Sequence, residues 1–167
     1  MRTEGEIIEI YERHVKMVYR VCFAYMKNAA ETEDAVQETF FRLIRKGPRF
    51  ESAEHEKAWL IRTASNVCKN VLKHPSRKHE DIEEHAELRS DDRPETQRAE
   101  HPEVSDVLRA ITELPDKYKP VIYLYYYEGY DSAQIARLLQ KPKSTIRSYL
   151  SEARSLLKER LGDDYEK

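Results

Sequence analysis

EGYDSAQIARLLQKPKSTIRSYLSEARSLLKER, residues 128–160, is the stretch on which the reading of this chain turns. Asp131 and Ser132 offer a helix start, and Ile135, Ala136, Leu138 and Leu139 mark one apolar face. Pro142, which has no N–H and clashes with the preceding turn, stops that helix. Ser144 then stands as the N-cap of a second helix, in which Ile146, Tyr149, Leu150, Ala153, Leu156 and Leu157 recur at helical spacing as a buried stripe. The opposite side is basic. At about 100° per residue, Arg147, Ser151, Arg154 and Lys158 share one strip facing away from the apolar one, with Thr145 and Ser148 near its N-terminal end. This is the pattern of a helix-turn-helix whose second helix suits a DNA major groove. The plainer alternative is a solvated face on an ordinary helix pair, and the turn Gln140–Lys143 lacks the Gly such turns often contain.

Composition narrows the classes. The chain has 167 residues, 36% of them charged, and a formal net charge of −2, so nucleic-acid binding has to come from local basic strips rather than from the overall balance. Its two cysteines, Cys22 and Cys68, each lie among apolar residues and are far apart in sequence, which suggests buried, reduced thiols rather than a disulfide or zinc site. No apolar run approaches the roughly 18 residues that span a bilayer, and MRTEGEIIEI has no signal-peptide pattern. A cytoplasmic protein with no direct membrane insertion is expected.

Upstream, apolar periodicity predicts a helix over 3–27, with Ile7, Ile8, Tyr11, Val15, Val18, Tyr19, Cys22 and Tyr25 as its core stripe. A break at Asn28–Ala30 precedes a second helix over 31–46 that buries Ala35, Val36, Phe40, Leu43 and Ile44 and keeps Asp34, Gln37, Glu38 and Arg42 wet; Gly47-Pro48 ends it. A third helix, over 55–73, turns Trp59, Leu60, Ala64, Val67, Cys68, Val71 and Leu72 inward. Arg62, Asn66, Lys69 and Lys73 fall on its other side, with Asn70 at the margin. Amide and cationic side chains of this kind suit bases and phosphates.

From His74 the composition shifts. HPSRKHEDIEEHAELRSDDRPETQRAEHPEV is poor in apolar residues, carries three prolines and is mainly acidic from Glu80, so it reads as a linker. His79, Asp81, Glu83 and His85 lie close together there, but local spacing fixes no third ligand, and no metal or other cofactor is expected. Val107, Leu108, Ile111 and Leu114 then form a helical stripe ended by Pro115. The run Tyr123-Leu124-Tyr125-Tyr126-Tyr127 has high β propensity, yet a lone strand among helices has no partner and Pro120 is tolerated in a first helical turn. A helix over 116–128 is expected, with Val121, Ile122, Leu124 and Tyr125 in the core and the tyrosines packing rather than stacking on bases. The expected fold class is all-α: two small helical domains, 1–74 and 104–167, joined by a flexible acidic linker, 75–103.

TEDAVQETFFRL (32–43), AWLIRTASNVCKNVLK (58–73) and LPDKYKPVIYLYYYEGYDSAQIARLLQKPKSTIRSYLSEARSLL (114–157) resemble, in order and separation, the successive motifs of bacterial RNA polymerase sigma factors of the extracytoplasmic-function (ECF) group. The resemblance implies a region 2-like bundle and a region 4-like helix-turn-helix that take core polymerase to promoters and help melt the DNA, with no covalent chemistry. It carries the family's β′-clamp contacts onto Asp34, Gln37, Glu38 and Phe40. The −10 strand contacts fall on Arg62, Asn66, Lys69, Asn70 and Lys73, and a flipped-base pocket on the loop 47–56. The −35 contacts fall on Thr145, Arg147, Ser148, Ser151, Arg154 and Lys158. Implied partners are core RNA polymerase, through its β′ clamp and β subunits, promoter DNA and an anti-sigma protein. Gln134, Ser144 and Asn70 stand where the family often has Glu, Gly and Asp. Two other readings compete with this one: a helix-turn-helix regulator acting without polymerase, and a metal-dependent helical enzyme using the linker histidines.

Overall fold

The structure, a computed structural model, describes residues 1–74 and 105–162. The expected linker, with His79, Asp81, Glu83 and His85, lies outside the described residues. Within them are seven helices and no strand: α1 (Glu4–Met26), α2 (Ala29–Lys46), α3 (Ala53–Lys73), α4 (Asp106–Thr112), α5 (Lys119–Tyr126), α6 (Ser132–Leu139) and α7 (Lys143–Leu161).

The helix boundaries follow from caps written in the sequence. Thr3 accepts from the Glu6 amide while the Glu6 carboxylate accepts from the Thr3 amide, a full capping box. Asn28 caps α2 and Ser52 caps α3, starting each about two residues before the apolar period suggests. Asp131 and Gln134 form a second capping box at α6, so Gln134 fills the reciprocal role that a Glu can also fill. The tyrosine run is helical, as expected. Residues 116–118, expected as helix, form a turn before α5.

Two local expectations are corrected. Ser144 is not the cap of α7: the helix begins at Lys143 behind Pro142, with no side-chain cap, because the extended backbone at Pro142 already ends the turn. The missing turn glycine is replaced by Gln140, which takes the left-handed conformation itself (φ 57°, ψ 49°).

α1, α2 and α3 pack together as one bundle, and α4 to α7 as another. The two bundles also meet: α1 packs on α4 and α5, and α3 touches α6. α1 is therefore covered on two sides along its C-terminal half, where Val21, Cys22, Phe23, Ala24, Tyr25 and Met26 are all buried. Its N-terminal half has partners on one side only. Ile8 and Tyr11, expected in the core, are accordingly exposed. Ile44, also expected in the core, is exposed as well, because it lies on the outer side of α2 next to the fully buried Leu43.

Candidate nucleic-acid interface

The outer face of α7 is assembled as the sequence suggests. Ile146, Leu150, Ala153 and Leu157 are buried against α4, α5 and α6, which turns Arg147, Ser148, Ser151, Arg154 and Lys158 to solvent, with Thr145 half-buried. The Arg154 guanidinium lies 4.5 Å from the centre of the Tyr125 ring, a contact that braces it without using its hydrogen-bond donors. Tyr149 and Tyr118 meet edge to face at 5.4 Å and fix the helix on its own domain. A convex helix face with one arginine braced and small hydroxyls around it has the shape and donors to enter a groove and contact bases and phosphates.

The strip on α3 is divided. Asn66, Asn70 and Lys73 are exposed, while Lys69 is half-buried beside Lys73 and Lys141. Burial first, then the two neighbouring ammonium groups, lower the Lys69 pKa. Arg62 points elsewhere: its Nε and Nη2 donate to the Leu138 carbonyl at 3.0 and 2.9 Å. Leu138 is in the last turn of α6, where carbonyls lack helical partners and the helix dipole is negative, so a guanidinium satisfies both. Periodicity could not show this, because it reports which face of α3 is polar but not what that face meets.

On α2, Asp34 and Gln37 are exposed, and Glu38 is paired with Arg42 (3.2 Å) and Arg45 (3.4 Å). Phe40, assigned to the same surface by resemblance, is only 6% exposed and meets the Tyr11 ring at 4.9 Å. Its neighbour Phe41 is 56% exposed and Ile44 53%. Asp34, Gln37, Phe41 and Ile44 recur at i, i+3, i+7 and i+10, one stripe with two apolar side chains on an otherwise polar helix. Phe41 and Ile44 are thus the surface residues that sequence reasoning missed. The signal was the pair Phe40-Phe41: at about 100° per residue, with Thr39, Phe40 and Leu43 turned inward, Phe41 falls on the outer side of the helix.

Between the N-terminus of α1 and the loop 47–52 lies a cleft of about 230 Å³, lined by Arg2, Arg13, Arg49, Phe50 and Glu56 among others. Arg2 donates to the carbonyls of Gly47 (3.0 Å) and Pro48 and covers the Phe50 ring at 4.6 Å; Phe50 packs on Trp59 at 5.9 Å. His14 and Arg13 hold the buried Glu56 carboxylate at 3.0 and 3.3 Å and so tie α1 to α3 beneath it. Arginine, an aromatic ring and a carboxylate around one cleft offer stacking and both hydrogen-bond polarities.

Where the bundles meet, Glu128 is the centre of a polar network that the sequence did not single out. Its carboxylate receives Lys57 Nζ at 2.7 Å, the Tyr123 hydroxyl at 2.7 Å and Arg20 at 3.6 Å; Arg20 Nε also donates to the Tyr123 oxygen at 3.1 Å. Burial pushes the Glu128 pKa up, but Lys57, Tyr123 and Arg20 outweigh it and hold the carboxyl below its ordinary value. Burial and the nearby Glu128 charge push the Tyr123 hydroxyl far up. Tyr130 donates to Glu54 at 3.1 Å and lies under Lys57.

Among the described residues no group of three or more His, Cys, Asp or Glu side chains could hold a metal ion, and no helix is long and apolar enough to cross a membrane. Residues 10–78 match the family Sigma-70 region 2, and residues 105–157 match Sigma-70 region 4. The ECF RNA polymerase sigma-E factor of Haemophilus influenzae is 32% identical over 138 residues, spanning 77% of this chain and 73% of that protein. This chain belongs to the ECF group of RNA polymerase sigma factors. The ECF sigma factor SigW of Bacillus subtilis is 24% identical to it over 95% of the chain and 89% of SigW. In three dimensions, this sigma factor matches the sigma factor RpoE of Bartonella quintana, crystallised with the anti-sigma factor NepR, with a TM-score of 0.61 and 21% identity, covering 96% of this chain and 97% of that one. That likeness is one of fold.

Proposed function

We propose that this sigma factor directs core RNA polymerase to promoters by dividing the work between its two bundles. Residues 1–74 dock on the polymerase clamp and hold the melted −10 strand; residues 104–167 read the −35 duplex; residues 75–103 connect them. Docking uses Asp34, Gln37 and Glu38 with the apolar pair Phe41 and Ile44, while Phe40 supports the helix from inside. Asn66, Lys69, Asn70, Lys73 and, once released from Leu138, Arg62 take the −10 strand, and the cleft beside Phe50 takes an extruded base, whose exposed edges suit its mixed donors and acceptors. Thr145, Arg147, Ser148, Ser151, Arg154 and Lys158 take the −35 groove. The observation that carries this reading is the outward face of α7, which keeps Arg147, Ser148, Ser151 and Arg154 exposed in a chain whose two halves match regions 2 and 4.

The protein performs no covalent chemistry of its own, needs no cofactor and works in the cytoplasm, where polymerase and DNA are. An anti-sigma protein is its expected inhibitor; the structural relative from Bartonella quintana was crystallised with one. Because each DNA contact is modest alone, affinity comes from holding both halves on one polymerase, and the free chain binds promoter DNA weakly.

The test is multi-round transcription by bacterial core polymerase on genomic fragments of the host, with and without the protein. New transcripts with defined starts are expected. Arg147→Ala should weaken use of the −35 element and leave polymerase binding intact; equal loss of both would overturn the division of labour. Tight, sequence-specific duplex binding by the isolated chain, with no effect on polymerase, would support a polymerase-independent regulator instead.

A further inference from the structure

The outer face of α7 has two unlike edges. At about 100° per residue, Arg147, Arg154 and Lys158 climb one edge, Thr145 and Glu152 the other, and Ser148, Ser151 and Ser155 fill the middle. The middle side chains are short. In a groove this helix therefore reaches furthest with its edges, arginines on one side and the Glu152 carboxylate on the other. Glu152 is exposed, yet it is anchored: its Oε2 accepts from the Tyr118 hydroxyl. Tyr118 is itself buried and meets the Tyr149 ring edge to face at 5.4 Å, so the anchor belongs to the packed part of the bundle. The exposed Lys117 ammonium lies 4.9 and 5.6 Å from the centres of those two rings and brings a cation to the acidic edge. A carboxylate has two oxygens and about four lone-pair sites, so the bond from Tyr118 leaves it able to accept again.

We propose that Glu152 is a specificity-determining residue of the −35 contact: held by Tyr118, its carboxylate accepts from the N4 amino group of a cytosine and disfavours the other bases at that position. The proposal rests on the role given above to α7. An ionised carboxylate only accepts, and in the major groove only cytosine and adenine offer an amino donor. Adenine presents the N7 acceptor beside its donor, which repels a second carboxylate oxygen. Guanine presents acceptors alone, and thymine an acceptor and a methyl group. Cytosine is the one base that offers a donor with no acceptor next to it. Where no donor faces Glu152, its charge meets base acceptors and phosphates, so discrimination comes from repulsion as much as from attraction.

The experiment uses the full chain with bacterial core polymerase. A promoter found by transcription is randomised across its −35 element, and the transcripts made by wild type, Glu152→Gln, Glu152→Ala and Tyr118→Phe are sequenced, with circular dichroism as the folding control. Wild type should prefer cytosine at one position of one strand by about tenfold. Glu152→Gln should move the preference at that position to adenine, because an amide can donate to N7 while accepting from N6, and should leave the other positions unchanged. Glu152→Ala should flatten that position, chiefly by gaining use of the other bases, and Tyr118→Phe should make the cytosine preference shallower without moving it. A uniform loss of activity at all positions, or wild-type preferences in Glu152→Gln, overturns the role of Glu152 and leaves that of α7 standing. A wild-type polymerase complex indifferent to the whole −35 element would instead overturn the reading of α7, and this proposal with it.

Discussion

Phe40 and Phe41 are adjacent in sequence and should fail in opposite ways when cut to alanine. Phe40 is 6% exposed, packs among α1, α2 and α3 and meets Tyr11 edge to face. Its truncation removes a buried ring and leaves a cavity, which costs about 3–5 kcal/mol, a large share of the roughly 5–15 kcal/mol that holds a domain folded. Phe41 is 56% exposed, with the Arg45 guanidinium 5.0 Å from the centre of its ring. Its removal should change stability by no more than about 0.5 kcal/mol. Docking is another matter. If the partner covers the exposed half of a ring that buries roughly 200 Å², about 110 Å² leaves water, worth at most about 2.8 kcal/mol at ~25 cal/mol/Å². Association realises only part of such a ceiling, so Phe41→Ala should weaken polymerase binding by about 1–2 kcal/mol, or roughly 5- to 30-fold. Urea unfolding of both variants, alongside competition for core polymerase against a labelled wild-type chain, separates the effects. Wild-type polymerase affinity in Phe41→Ala, or wild-type stability in Phe40→Ala, would refute the assignment of the two rings.

Three further outcomes are expected. Gln140→Gly should raise stability in urea by about 0.5–1 kcal/mol, because a side chain is strained in the left-handed backbone that glycine adopts freely. Lys119→Met should be neutral or stabilising by thermal unfolding. The ammonium is almost fully buried and burial lowers its pKa, while its partner Asp116 is largely exposed and loses little when left alone. The stability difference between wild type and Glu128→Gln should be flat from neutral pH down to about 5 and shrink below it. A carboxyl held under its ordinary 4.5 is less readily protonated in the folded chain than in the unfolded one. Its stabilisation is therefore complete above the unfolded value and is lost as pH falls through the folded one. A difference that grows on acidification would contradict the charged network.

The helices were legible because each carries its own local marks. Asp131 with Gln134, Pro142, and the stripe Ile146, Leu150, Ala153 and Leu157 are enough to set two helices and a turn without knowledge of the rest. Thr3 with Glu6 does the same for α1. What periodicity could not supply was the second partner of α1. Val21–Met26 is apolar on all sides, and that uninterrupted run was the mark of a helix covered on more than one face. Ile61 and Ser65 are buried at 1% and 2% for the same reason. Ile8, Tyr11 and Ile44 show the converse: each stands within two positions of a buried residue, Ile10 or Leu43, but outside the arc that the neighbouring helices cover, and so is surface.

The candidate site was harder to read than the fold because its residues are of the type that serves two purposes. A face of Arg, Lys and Asn kept polar for phosphates and bases is also one that can pair with carbonyls and carboxylates of the same chain. Arg62 was chosen for its charge and position on α3, and both properties equally suit the Leu138 carbonyl. Lys57 and Arg20 meet Glu128 across separations of 71 and 108 residues, which no local spacing encodes. The competition is thermodynamic: a donor engaged inside the chain, as Arg62 is on Leu138, must be withdrawn before any other acceptor can use it. Asp34, Gln37, Phe41 and Ile44, on the outer side of α2, are exposed in the same structure and meet no such competitor across the bundles.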